Sequence, residues 1–340
     1  MDRVTPYLIN YMDEFLFSEL SDAYLKDAGM DGFLTGVPVP LRAKDAAKVA
    51  GEGLHVSALG TAMARVIGID PAFRYVPQYK QYLAKFLGKR ALGMLLTEAK
   101  EAADSGDFDS ACIWQRAALA LEPDDPVALY GYATVLGALY SGSADAEKIG
   151  NLKAESLESF ETLTIKHPDF APGWYYLGFM YLNLGLYTKA SAAWKRYLEI
   201  LPDGDAAENA GADARAEIVE RLAQLDTPIA IENACNLVLA GNYDDGLTAL
   251  SHFASGKYAD WWPLWYHIGV AHTGRGEFAE AEKAFKKVLG IEGTQLDTMR
   301  ELVKLYERNG NRELVEKYAD KIDLIENREI QKTEAENEND

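Results

Sequence analysis

The stretch that decides the fold is APGWYYLGFMYLNLGLYTKASAAWKRYLEILPD, residues 171–203. Trp174, Leu177, Gly178 and Tyr181 stand at i, i+3, i+4 and i+7, which is one face of a helix. Gly185 follows Leu184 and can end that helix, because glycine enters the left-handed conformation without a steric penalty. Ala190, Trp194 and Tyr197 mark the face of a second helix, and Pro202 stops it. The small residues account for the rest of the pattern. Paired antiparallel helices lie roughly 8–10 Å apart, at a distance set by their contact residues. Gly178 and Ala190 are therefore predicted to face each other where the axes come closest, with the aromatic rings filling the wider spaces.

The same spacings recur along the chain. Residues 262–295 carry Trp265, Ile268, Gly269 and His272, then Gly276, Ala281, Phe285 and Val288, with Gly293 in place of the final proline. Residues 92–125 carry Leu95, Ala99, Ala102, Gly106, Ala111, Ala118 and Pro123. Two apolar positions there hold Glu98 and Gln115, as in a terminal unit whose outer face is partly wet. Residues 126–170 open with Leu129, Tyr132, Ala133 and Leu136 and close with Phe160, Leu163 and Pro168. Extra residues near 141–151 predict a long hairpin turn. Residues 227–261 supply Ala234, Leu237, Gly241, Leu250 and Phe253. Residues 296–328 supply Met299, Leu302, Tyr306, Gly310, Val315, Ala319 and Ile322.

This helix–turn–helix pattern resembles the tetratricopeptide repeat, and residues 171–203 resemble it at every signature position. The resemblance implies an all-α fold, a right-handed α-solenoid of stacked helix–turn–helix repeats with an N-terminal helical cap or domain. The predicted organisation is an N-terminal helical segment over 1–90, a first array of three units over 91–204, an unpaired helix over 205–226 and a second array of three units over 227–328. An acidic tail, polar and without aromatics, is predicted to be disordered over 329–340.

The first ninety residues lack the repeat. Thr5-Pro6 reads as an N-cap and first helical position, with Leu8, Tyr11, Met12, Phe15, Leu16 and Leu20 as one apolar helical face. Gly36, Pro38 and Pro40 make the following stretch an extended connector. Helical periodicity returns at about 55–67 and 77–87, where Tyr79, Tyr82, Leu83, Phe86 and Leu87 share a face. The segment is either a cap over the first repeat or a separate domain carrying the specific function.

Bulk properties narrow the function classes. A formal net charge of −19 repels phosphate backbones and argues against nucleic-acid partners. AAKVAGEGLHVSALG, residues 46–60, spaces Ala47 and Gly51 like a helix-turn-helix reader, but no basic recognition helix accompanies it. Cys112 and Cys235 fit neither a disulfide framework nor a metal spacing, which suits a reducing compartment. No secretory signal or membrane span is visible, so the expected location is cytoplasmic. The chain has no GxxxxGK[ST] phosphate loop, no HExxH, no paired CxxC and no calcium loop. No cofactor, metal site or enzymatic activity is therefore expected. His272 stands where the repeat usually has tyrosine and reads as a packed residue.

The resemblance implies that the first helix of each pair lines the inner surface. The residues it points to as partner-binding are Tyr130, Tyr175, Phe179, Asn183, Tyr266 and Val270, with Thr134 and Ile231 at equivalent places. Some family members grip a chaperone's C-terminal carboxylate through Lys and Asn at the fifth and ninth positions. Here those positions hold Tyr175 and Phe179, and Tyr266 and Val270, so that ligand class is disfavoured. The reading that follows is a scaffold or adaptor for a protein or an apolar or aromatic peptide. Three alternatives stand beside it. The aromatics can be packed by the chain itself, residues 1–90 can be the effector of a peptide-responsive regulator, or they can hold an unrecognised enzymatic site.

Overall fold

A computed structural model describes residues 2–42, 55–201 and 212–337. The fold is an all-α repeat fold, with eighteen α-helices and one two-stranded sheet among the described residues. The chain divides into two compact units. The first comprises Met1–Met180 and Arg196–Leu201, and the second Tyr181–Lys195 and Pro202–Asp340.

The first unit opens with α1 (Thr5–Leu8), a 3-10 turn over Ile9–Glu14 and strand β1 (Phe15–Ser18). Helices α2 (Asp22–Asp27) and α3 (Asp31–Leu34) lead to β2 (Val39–Arg42), which pairs antiparallel with β1, Leu16 opposite Leu41 and Phe17 opposite Pro40. The helical face predicted from Leu8 to Leu20 is thus corrected. Three consecutive apolar residues, Phe15 to Phe17, suit a strand as well as a helix. Pro38 and Pro40 hold the later segment extended, and its ladder captures the earlier one. The cap also differs from expectation: Asp2 Oδ1 accepts from the amides of Val4 and Thr5, and Thr5 lies inside the helix.

Helices α4 (Val56–Ile69) and α5 (Val76–Phe86) follow, as their periodicity predicted. The repeat hairpins then begin with α6 (Arg90–Asp104) and α7 (Phe108–Leu121), then α8 (Pro126–Ser141) and α9 (Ala146–Lys166). Most of the extra residues near 141–151 lie in lengthened helices, and only 142–145 connect them, where a long turn was predicted. Asp145 starts α9 by accepting from the Lys148 amide, and the following AEKIGNLKAES is almost free of helix breakers.

One core runs from Val4 to Leu152 and joins residues of 1–90 to those of the first repeats. α4 approaches α7 so closely that a Cβ on Gly68 would lie 1.9 Å from the Ile113 carbonyl oxygen. Gln115, expected on a wet outer face, is only 6% exposed. It is covered by α8, where Gly131 leaves room for its amide. Arg116 is also buried, donating to the Ile69 carbonyl (3.3 Å) and the Thr5 hydroxyl (2.7 Å) and pairing with Asp2.

Helices α10 (Ala171–Asn183) and α11 (Tyr187–Ile200) each contribute residues to both units. Gly178 and Ala190, predicted to meet, belong to different units. The second unit continues with α12 (Ala212–Gln224); the start at 205 of the unpaired helix expected there lies outside the described residues. Three hairpins follow. They are α13 (Asp226–Leu239) with α14 (Tyr243–Ser251), α15 (Trp262–Gly274) with α16 (Phe278–Ile291), and α17 (Leu296–Arg308) with α18 (Arg312–Asn337). α18 corrects the predicted tail, since residues 329–337 are helical; their Glu, Gln, Lys and Ala are good helix formers. The stretch weighed as a DNA reader falls largely in 43–54, outside the described residues.

Five of the six hairpins turn in the same way. Gly106, Gly185, Gly241, Gly276 and Gly310 have φ between +66° and +85°. In each, the amide after the glycine donates back across the helix end, as Glu277 does to the His272 carbonyl (2.9 Å) and Asp107 to that of Ala102 (2.9 Å). The α8–α9 turn is the exception, with Gly142 at φ −91°.

Candidate docking surface

The position-four tryptophans fix the start of each strong repeat. Trp174 Nε1 donates to the Pro168 carbonyl (2.9 Å) and Trp265 Nε1 to that of Ala259 (2.7 Å), six residues back in both cases. With the first turn held, the fifth and ninth positions project from the same side of the helix.

In the first unit this places Tyr130 on α8 and Tyr175 and Phe179 on α10 in one aromatic array. Tyr175 lies edge-on to Phe179, with centroids 5.0 Å apart, and 5.3 Å from Tyr197. Tyr176 links the two helices: it is 5.1 Å from Tyr175 and 5.7 Å from Tyr130, and stacks on the buried Phe160 at 5.8 Å and 7°. Phe170 closes the array 5.7 Å from Tyr130. Burial raises the Tyr130 hydroxyl above its ordinary range, and a hydrogen bond to Tyr176 adds to the effect. Tyr130, Tyr175 and Phe179 are half-buried, whereas Tyr176 is 40% exposed. At the edge, Arg196 reaches Asp169 (3.1 Å) and Glu199 (3.3 Å). The surface thus combines fixed rings, several hydroxyls and a charged border.

In the second unit Tyr266 and Val270 lie one turn apart on α15, both half-buried. The Tyr266 ring is 6.0 Å from Phe285 and 6.5 Å from Trp262, and Val270 packs on two core clusters. Burial raises the Tyr266 hydroxyl, with Glu301 and Asp297 adding to the shift. Asn183, at the end of α10, is exposed. Two residues named with these do not offer a surface. Ile231 is fully buried in the core of its hairpin, and Thr134 turns its hydroxyl back to the Tyr130 and Gly131 carbonyls. Trp265 is half-buried beneath the Lys287 ammonium at 4.8 Å. His272 is held by Glu277, Nδ1 to Oε2 at 2.6 Å, which agrees with a packed role.

The spacing missed Tyr176 and Phe170. Tyr176 sits at a sixth position and Phe170 before the helix, so neither belongs to the inner-surface set. The available signal was the Tyr175-Tyr176 pair, since neighbouring rings on a helix cover adjacent faces. Among the described residues no three His, Cys, Asp or Glu side chains gather as a metal site, and no helix is long and apolar enough to cross a membrane.

Comparison with known proteins places the repeat directly. The family model described as tetratricopeptide repeat matches residues 263–295, the α15–α16 hairpin. The resemblance read from spacing is shown there. No curated protein sequence matches the chain. Among solved structures, the P58(IPK) TPR domain is 14% identical over 78% of this chain and 68% of its own, with a TM-score of 0.45. A tetratricopeptide repeat protein from Parabacteroides merdae is 15% identical over 83% and 91%, with a TM-score of 0.34. MamA from Desulfovibrio magneticus is 15% identical over 57% and 95%, with a TM-score of 0.27. None is similar enough to speak to what this chain binds.

Proposed function

We propose that the chain is a non-enzymatic scaffold that docks a protein segment or an apolar or aromatic peptide on its tyrosine-rich helix faces. The observation that carries this reading is Tyr176, 40% exposed at the centre of an array whose other rings are held in place. Rigid aromatics give large contact area at low entropic cost and are frequent hot spots. A partner ring or aliphatic side chain laid on Tyr176 displaces water without reordering Tyr130, Tyr175 or Phe179. Tyr266 and Val270 offer a smaller face of the same kind in the second unit, and Asn183 an exposed amide. The continuous core joining 1–90 to the first repeats supports the cap reading of that segment. Two buried free thiols, Cys112 and Cys235, are compatible with a reducing, cytoplasmic setting.

The test is peptide selection from a random display library, followed by titration of the selected peptides. Tyr176→Ala is expected to weaken them by about 2 kcal/mol, roughly thirtyfold, with a cooperative melting transition retained. Selected peptides that bind Tyr176→Ala, Tyr175→Ala and Tyr266→Ala as tightly as the parent chain would remove the assignment.

A further inference from the structure

We propose that β1 is a second docking edge, which accepts an extended, basic-flanked segment of a partner protein by strand addition. Among the described residues the sheet has two strands, so β1 has one edge that no strand pairs. β2 is the shielded strand: Val39 and Pro40 are buried, and Pro38 and Pro40 deprive its backbone of donors. β1 is treated differently. Leu16 is 57% and Phe17 39% exposed, on opposite faces of the strand, and Ser18 is exposed as well. Among the described residues no proline, lysine or inward charge guards it, and it is four residues long. Phe17 leans on Phe73 at 5.5 Å, and Phe73 on Tyr75 at 5.7 Å, so an apolar shelf runs beside the strand for an incoming side chain.

Charge decides the occupant. Residues 4–25 contain no Lys, Arg or His, while Asp13 and Glu14 precede the strand and Glu19 and Asp22 follow it. Of these, Glu14 has a cationic neighbour, Arg65 at 3.5 Å. A second copy of the chain fits poorly. Two-fold pairing of β1 with itself is antiparallel, and centring it on Leu16 and Phe17 sets Glu14 of each copy against Glu19 of the other. A strand with alternating apolar residues and basic ends meets every requirement of the edge: backbone partners, two apolar anchors and neutralised carboxylates.

The test uses the full chain and a fluorescein-labelled peptide, Lys-Lys-Val-Thr-Val-Thr-Val-Lys-Lys, followed by fluorescence anisotropy. Binding is expected to fall at least tenfold when alternate backbone amides of the peptide are N-methylated, and at least tenfold when glutamates replace its lysines. Leu16→Ser is expected to weaken it about fivefold with an unchanged melting curve, whereas Tyr176→Ala leaves it unaffected. Failure of the peptide to bind, equal binding of the N-methylated form, or indifference to Leu16→Ser would each overturn the proposal. So would a dimer in sedimentation that Leu16→Ser dissociates, since the edge would then belong to a second copy.

Discussion

Gly68 in α4 and Gly269 in α15 are both helical glycines at tight crossings, yet they meet different things. A Cβ on Gly68 would strike the Ile113 carbonyl oxygen at 1.9 Å and its carbon at 2.8 Å. A Cβ on Gly269 would strike the Phe285 ring, nearest at 2.5 Å. The first obstacle is helix backbone, fixed by its own hydrogen bonds. The second is the edge of a side chain that can tilt. Gly68 lies where the non-repeat segment meets the first repeat, and Gly269 lies inside a repeat. Close packing is therefore as strict outside the recognisable pattern as within it, and the stricter of the two contacts is the one the repeat does not announce.

Breaking the stricter contact should have the larger effect. Gly68→Ala must push α4 away from α7, through a core that includes Leu59, Met63, Ile67 and Trp114. The expected loss is about 3 kcal/mol, read as a lowered urea midpoint in the first unit. A change below about 1 kcal/mol would mean that the two helices separate freely, and the cap would then be a loosely attached domain. Gly269→Ala gains helix propensity of about 1 kcal/mol while forcing the Phe285 ring to move, so the net loss should be about 1–2 kcal/mol. Equal losses at the two sites would erase the distinction between backbone and ring.

The same contrast explains what could be read in advance. Gly106, Gly185, Gly241, Gly276 and Gly310 were legible because a left-handed turn admits few other residues, and all five have positive φ. Gly68 was not, because its partner lies on a helix with which it shares no periodicity. Phe15–Ser18 was misread because its pairing with Val39–Arg42 is a long-range choice that no local spacing encodes. Gln115 was misread because its burial depends on Gly131, in the next hairpin. In the aromatic array of the first unit the fifth and ninth positions led to Tyr130, Tyr175 and Phe179. Tyr176 escaped, since stacking on Phe160 depends on how α9 meets α10, and no single helix records that.

The α8–α9 hairpin supplies the smallest and most discriminating case. It reaches a close approach without a glycine: Ala133 and Ser156 are buried, and the Ser156 hydroxyl donates to the Ala133 carbonyl at 2.8 Å. If small size brings the helices together, the hydroxyl is an addition to the contact and not its cause. The Ala133 carbonyl already accepts a bond from its own helix and keeps that bond when the hydroxyl is removed. Ser156→Ala also leaves a methyl in apolar surroundings without stranding a donor. The expected loss is about 0.5–1 kcal/mol in the same urea titration, the smallest of the three. A loss above about 2 kcal/mol would show that the hydrogen bond holds the pair. Side-chain size would then stop being the common rule for the three crossings.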